Sequence, residues 1–137
     1  MSYGTQVRLD VPFDEAVARV RAALAAQGFG VLTEIDVTAT LKAKLGELIE
    51  DYVILGACNP PFAHQALSID RSIGLLLPCN VVVRASAAGT VVEALDPQVM
   101  VTLTGHPELQ PVADEVARKL TAALAGLSPA QPTGGAR

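Results

Sequence analysis

The sequence predicts an α+β fold: a two-layer sandwich with helices on one face of a mainly antiparallel or mixed sheet. Three observations lead there. Short β-rich runs alternate with helical stripes in the order β-α-β-α-β-α-β-β-α. The last two strands read as an antiparallel hairpin. Half of the 137 residues are hydrophobic, enough for one real core, but only 4% are aromatic and none is Trp, so Ala, Val and Leu must fill it. A doubly wound parallel sheet ranks second.

Each element has a local reason. Gln6 to Leu9 alternates as a short first strand. Phe13, Val17, Val20 and Leu24 form one stripe of a helix, with Asp10 nearby as a candidate cap and Gly28 as its stop. Phe29 to Ile35 reads as a second strand. Asp36 or Thr38 can then cap a second helix over Ala39 to Ile49, with Leu41, Leu45 and Leu48 as its apolar positions. Tyr52 to Cys58 is nearly all apolar and reads as a buried strand. Asn59-Pro60-Pro61 follows, and asparagine caps helices while proline suits their first turn, so a third helix is predicted over Pro60 to Ile69.

Ile73 to Arg84 reads as a long extended segment in which Pro78 marks an edge or a bulge. Thr90 to Leu95 is its hairpin partner. Gln98 to His106 is apolar without a clear period. Pro107 opens a last helix with Leu109, Val112, Val116, Leu120 and Leu124 on one stripe, and Gly126 stops it. Residues 1–126 are thus expected to form a single α+β domain, and residues 127–137, rich in Pro and Gly, a flexible C-terminal tail.

Charge and composition exclude several functions. The net charge is −4, and the ten basic residues form only small pairs, so no footprint for nucleic acid is present. The apolar runs are strand-length, whereas a membrane span needs ~20 apolar residues. The N-terminus shows no secretory pattern. Two cysteines do not make a disulfide scaffold. The expectation is a cytoplasmic protein with free thiols and no nucleic-acid or membrane partner.

Two matching fragments carry the candidate site. Gly56-Ala57-Cys58-Asn59-Pro60-Pro61 and Leu77-Pro78-Cys79-Asn80 hold both cysteines, each followed by asparagine. Cys58 sits at a strand end before a helix N-terminus, where unpaired N–H groups favour a thiolate. Cys79 lies beside a proline in a strand that can pass close by. Asn59 is explained as a helix cap. Asn80, inside Val-rich sequence, calls for buried partners or a pocket. Cys58, Asn59, Cys79 and Asn80 are therefore the candidate ligand-binding residues.

Three readings of the thiols stay open: packing, a dithiol or sulfur-ligand site, and a soft-metal site. Their spacing matches neither a C-x-x-C motif nor a paired zinc knuckle. His64 is the histidine near this site and would complete a three-ligand set with Cys58 and Cys79 for copper or zinc, although the helix wheel puts it off the apolar face. His106 precedes a proline and reads as a cap. The carboxylate pairs sit at helix ends, and Gly28-Phe29-Gly30 precedes a strand, so it is no dinucleotide fingerprint. No P-loop, serine elbow or H-E-x-x-H is present, which points away from a classical enzyme. No cofactor is indicated.

One resemblance gathers these pieces. The run from Phe13 through Leu24 and Gly28-Phe29-Gly30-Val31-Leu32-Thr33-Glu34-Ile35-Asp36, then Ile54-Leu55-Gly56-Ala57-Cys58-Asn59-Pro60, then Leu75 to Val83 with Pro78-Cys79-Asn80, then Asp96-Pro97, resembles the "domain of unknown function 302" family over about residues 5 to 100. The resemblance implies a small bacterial or archaeal α+β domain that forms homodimers, with no assigned activity. Many members lack these cysteines, so this chain resembles a Cys-bearing variant whose fold does not depend on thiols. The expectation that follows is a small binding or sensing domain for a small-molecule, soft-metal or sulfur-related ligand. The alternatives are a thiol redox protein using Cys58 and Cys79, or a dimeric structural domain without chemistry.

Overall fold

Five strands form one antiparallel sheet in the computed structural model, which describes residues 3–127. They are β1 (Gly4–Leu9), β2 (Gly30–Asp36), β3 (Tyr52–Cys58), β4 (Cys79–Ser86) and β5 (Gly89–Leu95), in the spatial order β1-β5-β4-β3-β2. Between them run α1 (Phe13–Ala26), α2 (Val37–Leu45), α3 (Pro60–Ile69), α4 (Gln98–Thr104) and α5 (Gln110–Ala125). Every strand pair is antiparallel, which selects the sandwich over a doubly wound sheet.

The pleat sends alternate residues to opposite faces. Thr90, Val92 and Ala94 of β5, Val81 and Val83 of β4, and Val53, Leu55 and Ala57 of β3 share one face and are buried. Against that face α1 packs Ala16, Val20 and Leu24, and α5 packs Val112, Val116, Leu120 and Leu124. The other face carries Arg8, Val91, Arg84 and Tyr52 in one row, and Gln6, Glu93, Val82, Ile54 and Ile35 in the next. Of α2 no residue is buried, so it adds nothing to the core layer.

Several elements differ from their sequence expectation, each for a local reason. Ile73 does not extend β4: Arg71–Leu76 is a 3-10 helix opened by the Asp70 side chain, which accepts from the Ser72 N–H. β4 begins only at Cys79, after a cis Leu77–Pro78 bond. The second helix is Val37–Leu45, not Ala39–Ile49, because Asp36 accepts from the Ala39 N–H and Gly46 turns left-handed at φ 68°. Gln98–Thr104 is helical, and Pro107–Leu109 is a 3-10 turn ahead of α5. His106 holds the N-cap position of that turn, its carbonyl accepting from the Leu109 N–H at 3.1 Å, but its side chain makes no cap bond; its Nε2 lies 3.5 Å from Asp70 Oδ2. Leu127, placed in the tail by the sequence, is buried in the core. The rest of that tail, residues 128–137, lies outside the described residues.

Candidate functional site

The four candidate residues part into two places. Register sets Ala57 opposite Cys79 and Gly56 opposite Asn80. Cys79 therefore shares the helix-covered face with Ala57, and Asn80 takes the uncovered one. Cys58, Asn59 and Cys79 border one small apolar void, together with Phe29, Phe62 and Met100. Asn80 borders a concavity on the other side of the sheet, with Tyr3, Tyr52, Val82, Glu93 and Leu95. Of the two expectations for Asn80, buried partners or a pocket, the first is corrected, since Asn80 is exposed, while it does border this concavity. The pleat turns it to the face opposite Cys79.

The thiol void holds about 20 Å³. That is close to the minimum space for one water molecule, so only small groups fit as it stands. Cys79 is 6% exposed. Burial pushes its thiol up from 9.0 to about 11, and the neighbouring Cys58 adds to the rise. A buried protonated thiol packs as a small apolar group. Cys58 is half-buried, and both thiols are free.

The helix N-terminus behind Cys58 offers its sulfur little. Pro60 and Pro61 carry no N–H, and the N–H groups of Phe62 and Ala63 both donate to the Asn59 carbonyl, at 3.1 and 3.0 Å. The donors that would steady a thiolate are absent or engaged. The two prolines were visible in the sequence as a helix start, and their missing N–H groups were the signal against an activated cysteine.

Asn59 does not cap α3 through its side chain. Its Nδ2 instead donates to the Gln27 carbonyl at the end of α1, 3.1 Å away. Gly28 makes room for this: it turns at φ +86°, and a Cβ there would sit 3.2 Å from Asn59 Nδ2. Asn59 is thus 8% exposed and structurally engaged.

His64 is exposed on α3 and does not border the thiol void. Among the described residues no three His, Cys, Asp or Glu side chains gather in a set that would hold a metal ion. Asp14, Glu34, Asp36 and Asp51 do line a hollow beside Phe13 and Tyr52. Two of these carboxylates have structural partners: Glu34 pairs with Arg21, and Asp36 caps α2.

The Asn80 concavity is the roomier place, at about 230 Å³. Val82 and Leu95 give it an apolar floor, and Tyr3, Tyr52 and Asn80 bring phenol and amide groups to its rim. Glu93 is held from the side by Arg84, whose Nε donates to Oε1 at 2.9 Å. Both tyrosines of the chain border this one hollow. Sequence reasoning missed Tyr3, Tyr52 and Glu93. The available signal was the period-2 alternation of Asn80, Val82 and Arg84 against Val91, Glu93 and Leu95.

Comparison with known proteins agrees with this architecture. The family model described as "Domain of unknown function DUF302" matches residues 5–127. The crystal structure of an uncharacterized conserved DUF302 protein from Bacillus stearothermophilus superposes with a TM-score of 0.86 at 28% identity, covering 93% of this chain and 99% of that one. No curated protein matches the chain. Among the described residues no helix is long and apolar enough to cross a membrane.

Proposed function

This chain belongs to the family described as a domain of unknown function, DUF302, and on that premise we propose that it is a non-covalent binding domain whose working surface is the uncovered face of the sheet around Asn80. The observation that carries this reading is the convergence of Tyr3, Tyr52 and Asn80 on one hollow of about 230 Å³. Ligand sites are concave and largely apolar, with a few placed polar groups. Typical ones measure ~300–1,000 Å³, so this one suits a ligand at the small end. The aromatic rings and the Val82–Leu95 floor favour a flat molecule. The Asn80 amide, both donor and acceptor, favours an edge that offers the same pair.

Thiol redox chemistry fits the geometry less well. It would ask Cys79 to act from a buried site that holds it protonated, with its pKa pushed to about 11. The sulfur-related or soft-metal pocket around Cys58, Asn59 and Cys79 would have to open first, from about 20 Å³. Two free cysteines suit a reducing compartment, so we place the protein in the cytoplasm.

A ¹H–¹⁵N NMR titration with a panel of planar amides and heteroaromatics, such as benzamide, nicotinamide and adenine, tests the assignment. Shifts gathered at residues 3–4, 80–82 and 93–95, and lost in Asn80→Ala, are expected. Shifts gathered instead at Cys58, Asn59 and Cys79 would move the site to the thiol void and end this reading.

A further inference from the structure

We infer that the Asn80 hollow selects a small planar cation of the amidinium type, an N–C–N⁺ group carried on a flat ring, and that Glu93 is the residue that reads its charge. The inference rests on the binding reading above and names the class of ligand for that site.

Strand register builds the floor of the hollow as a square. On the open face Val82 stands beside Glu93, and one step further along the same register sets Asn80 beside Leu95. Asn80 and Glu93 therefore hold one diagonal, and Val82 and Leu95 the other. Diagonal neighbours on a sheet face lie ~7–8 Å apart. A single flat ring spans that length, rests on the two apolar corners and meets a polar group at each end.

Glu93 is the one charged residue bordering the hollow among the described residues. Its carboxylate is half satisfied. Arg84 Nε donates to Oε1 at 2.9 Å, and no other described group donates to the second oxygen. Arg118, by contrast, grips both oxygens of Glu115. The Glu93 side chain is 20% exposed, so water reaches it only in part, and an ionised oxygen at that depth calls for a donor.

The arginines of the open face do not fill that place from the hollow. Arg8 and Arg84 both pair with Val91, in the row on the far side of Glu93 from Asn80. Arg84 holds Glu93 from behind, and the Asn80 side is left to a second donor.

An amidinium meets these conditions. Its two nitrogens present N–H donors in one plane, and a charged donor bonds a carboxylate about twice as strongly as a neutral one. A carboxamide of the same shape puts a carbonyl oxygen where one of those nitrogens stands, and it brings no charge. Tyr3 and Tyr52 add to the preference, because an aromatic face attracts a cation laid over it. The net charge of −4 favours cations over anions throughout.

Benzamidine and benzamide, alike in shape and unlike in charge, test this by ¹H–¹⁵N NMR titration of the full chain at neutral pH. Benzamidine is expected to bind about 10-fold more tightly at residues 3–4, 80–82 and 93–95, the scale of one charge-assisted bond over a neutral one. Glu93→Gln should bring the two ligands to parity, and Asn80→Ala should weaken both. Salt needs no variant: raising NaCl from about 20 to about 200 mM should weaken benzamidine and leave benzamide unchanged. Benzamide binding as tightly as benzamidine, or more so, overturns this inference and leaves the binding reading standing. A preference for benzamidine that survives Glu93→Gln in the folded variant, or that ignores salt, overturns it too. Failure of both ligands to shift these residues ends the binding reading and this inference together.

Discussion

Asn59 donates its side-chain Nδ2 to the Gln27 carbonyl 3.1 Å away, tying the start of α3 to the end of α1. The bond links residues 32 positions apart, and it crosses from the helix that follows β3 to the one that precedes β2. Asn59→Ala leaves a part-buried carbonyl without its donor and should cost about 1–3 kcal/mol. Asn59→Asp should cost more, because a carboxylate then faces a carbonyl. Urea melts of the two variants check the order. Equal stability with the wild type would show that water replaces the amide.

Cys79 makes stability depend on alkaline pH. Its thiol titrates at 9.0 when unburied and near 11 in the fold, so the folded state holds the proton that the unfolded state releases. Stability is therefore full below pH 9 and falls as pH rises toward 11, by about 3 kcal/mol in all. Melting at pH 8, 9.5 and 11, wild type against Cys79→Val, measures it. The variant should lose the part of the alkaline slope that Cys79 carries. Alkylation at pH 8 should reach Cys58 well before Cys79.

Gly56 admits no side chain. A Cβ there would overlap the Thr33 hydroxyl and lie 2.8 Å from Pro78 Cγ. Gly56→Ala should destabilise by about 1–3 kcal/mol, as overpacking does. Relief by Thr33→Ser in the double variant would be small, because the same Oγ remains. Relief by Thr33→Gly should be larger. A neutral Gly56→Ala would mean that β2 and the Pro78 turn yield freely.

On the binding reading proposed above, Asn80 would serve recognition and not the fold. It is exposed, so Asn80→Ala should change stability by no more than about 0.5 kcal/mol. The same variant should abolish the planar-amide shifts at residues 80–82 and 93–95. A large loss of stability would reveal a structural role instead.

Much of this was legible because the signals were local. Asn59-Pro60-Pro61 placed α3 at Pro60–Ile69, the bounds the structure shows. The stripe of Val112, Val116, Leu120 and Leu124 placed α5 and its buried side. Ile73 to Leu77 misled because a short apolar run has no period that separates strand from helix. There the Asp70 side chain decided for a 3-10 turn.

The candidate site was half legible. Cys58, Asn59 and Cys79 do meet at one void, yet Asn80 faces away from it. A strand sequence shows that neighbours take opposite faces, and it does not show which face the helices will cover.

The sequence by itself determined the family, the α+β class, the element order and the single pair of Cys-Asn fragments, all properties of residues near one another in the chain. Only the tertiary structure decided that Asn59 binds the end of α1, that Cys79 is buried and protonated, and that Asn80 joins Tyr3 and Tyr52 on the open face. These depend on strand register and on which side the helices pack, and both are set by contacts between segments far apart in the chain.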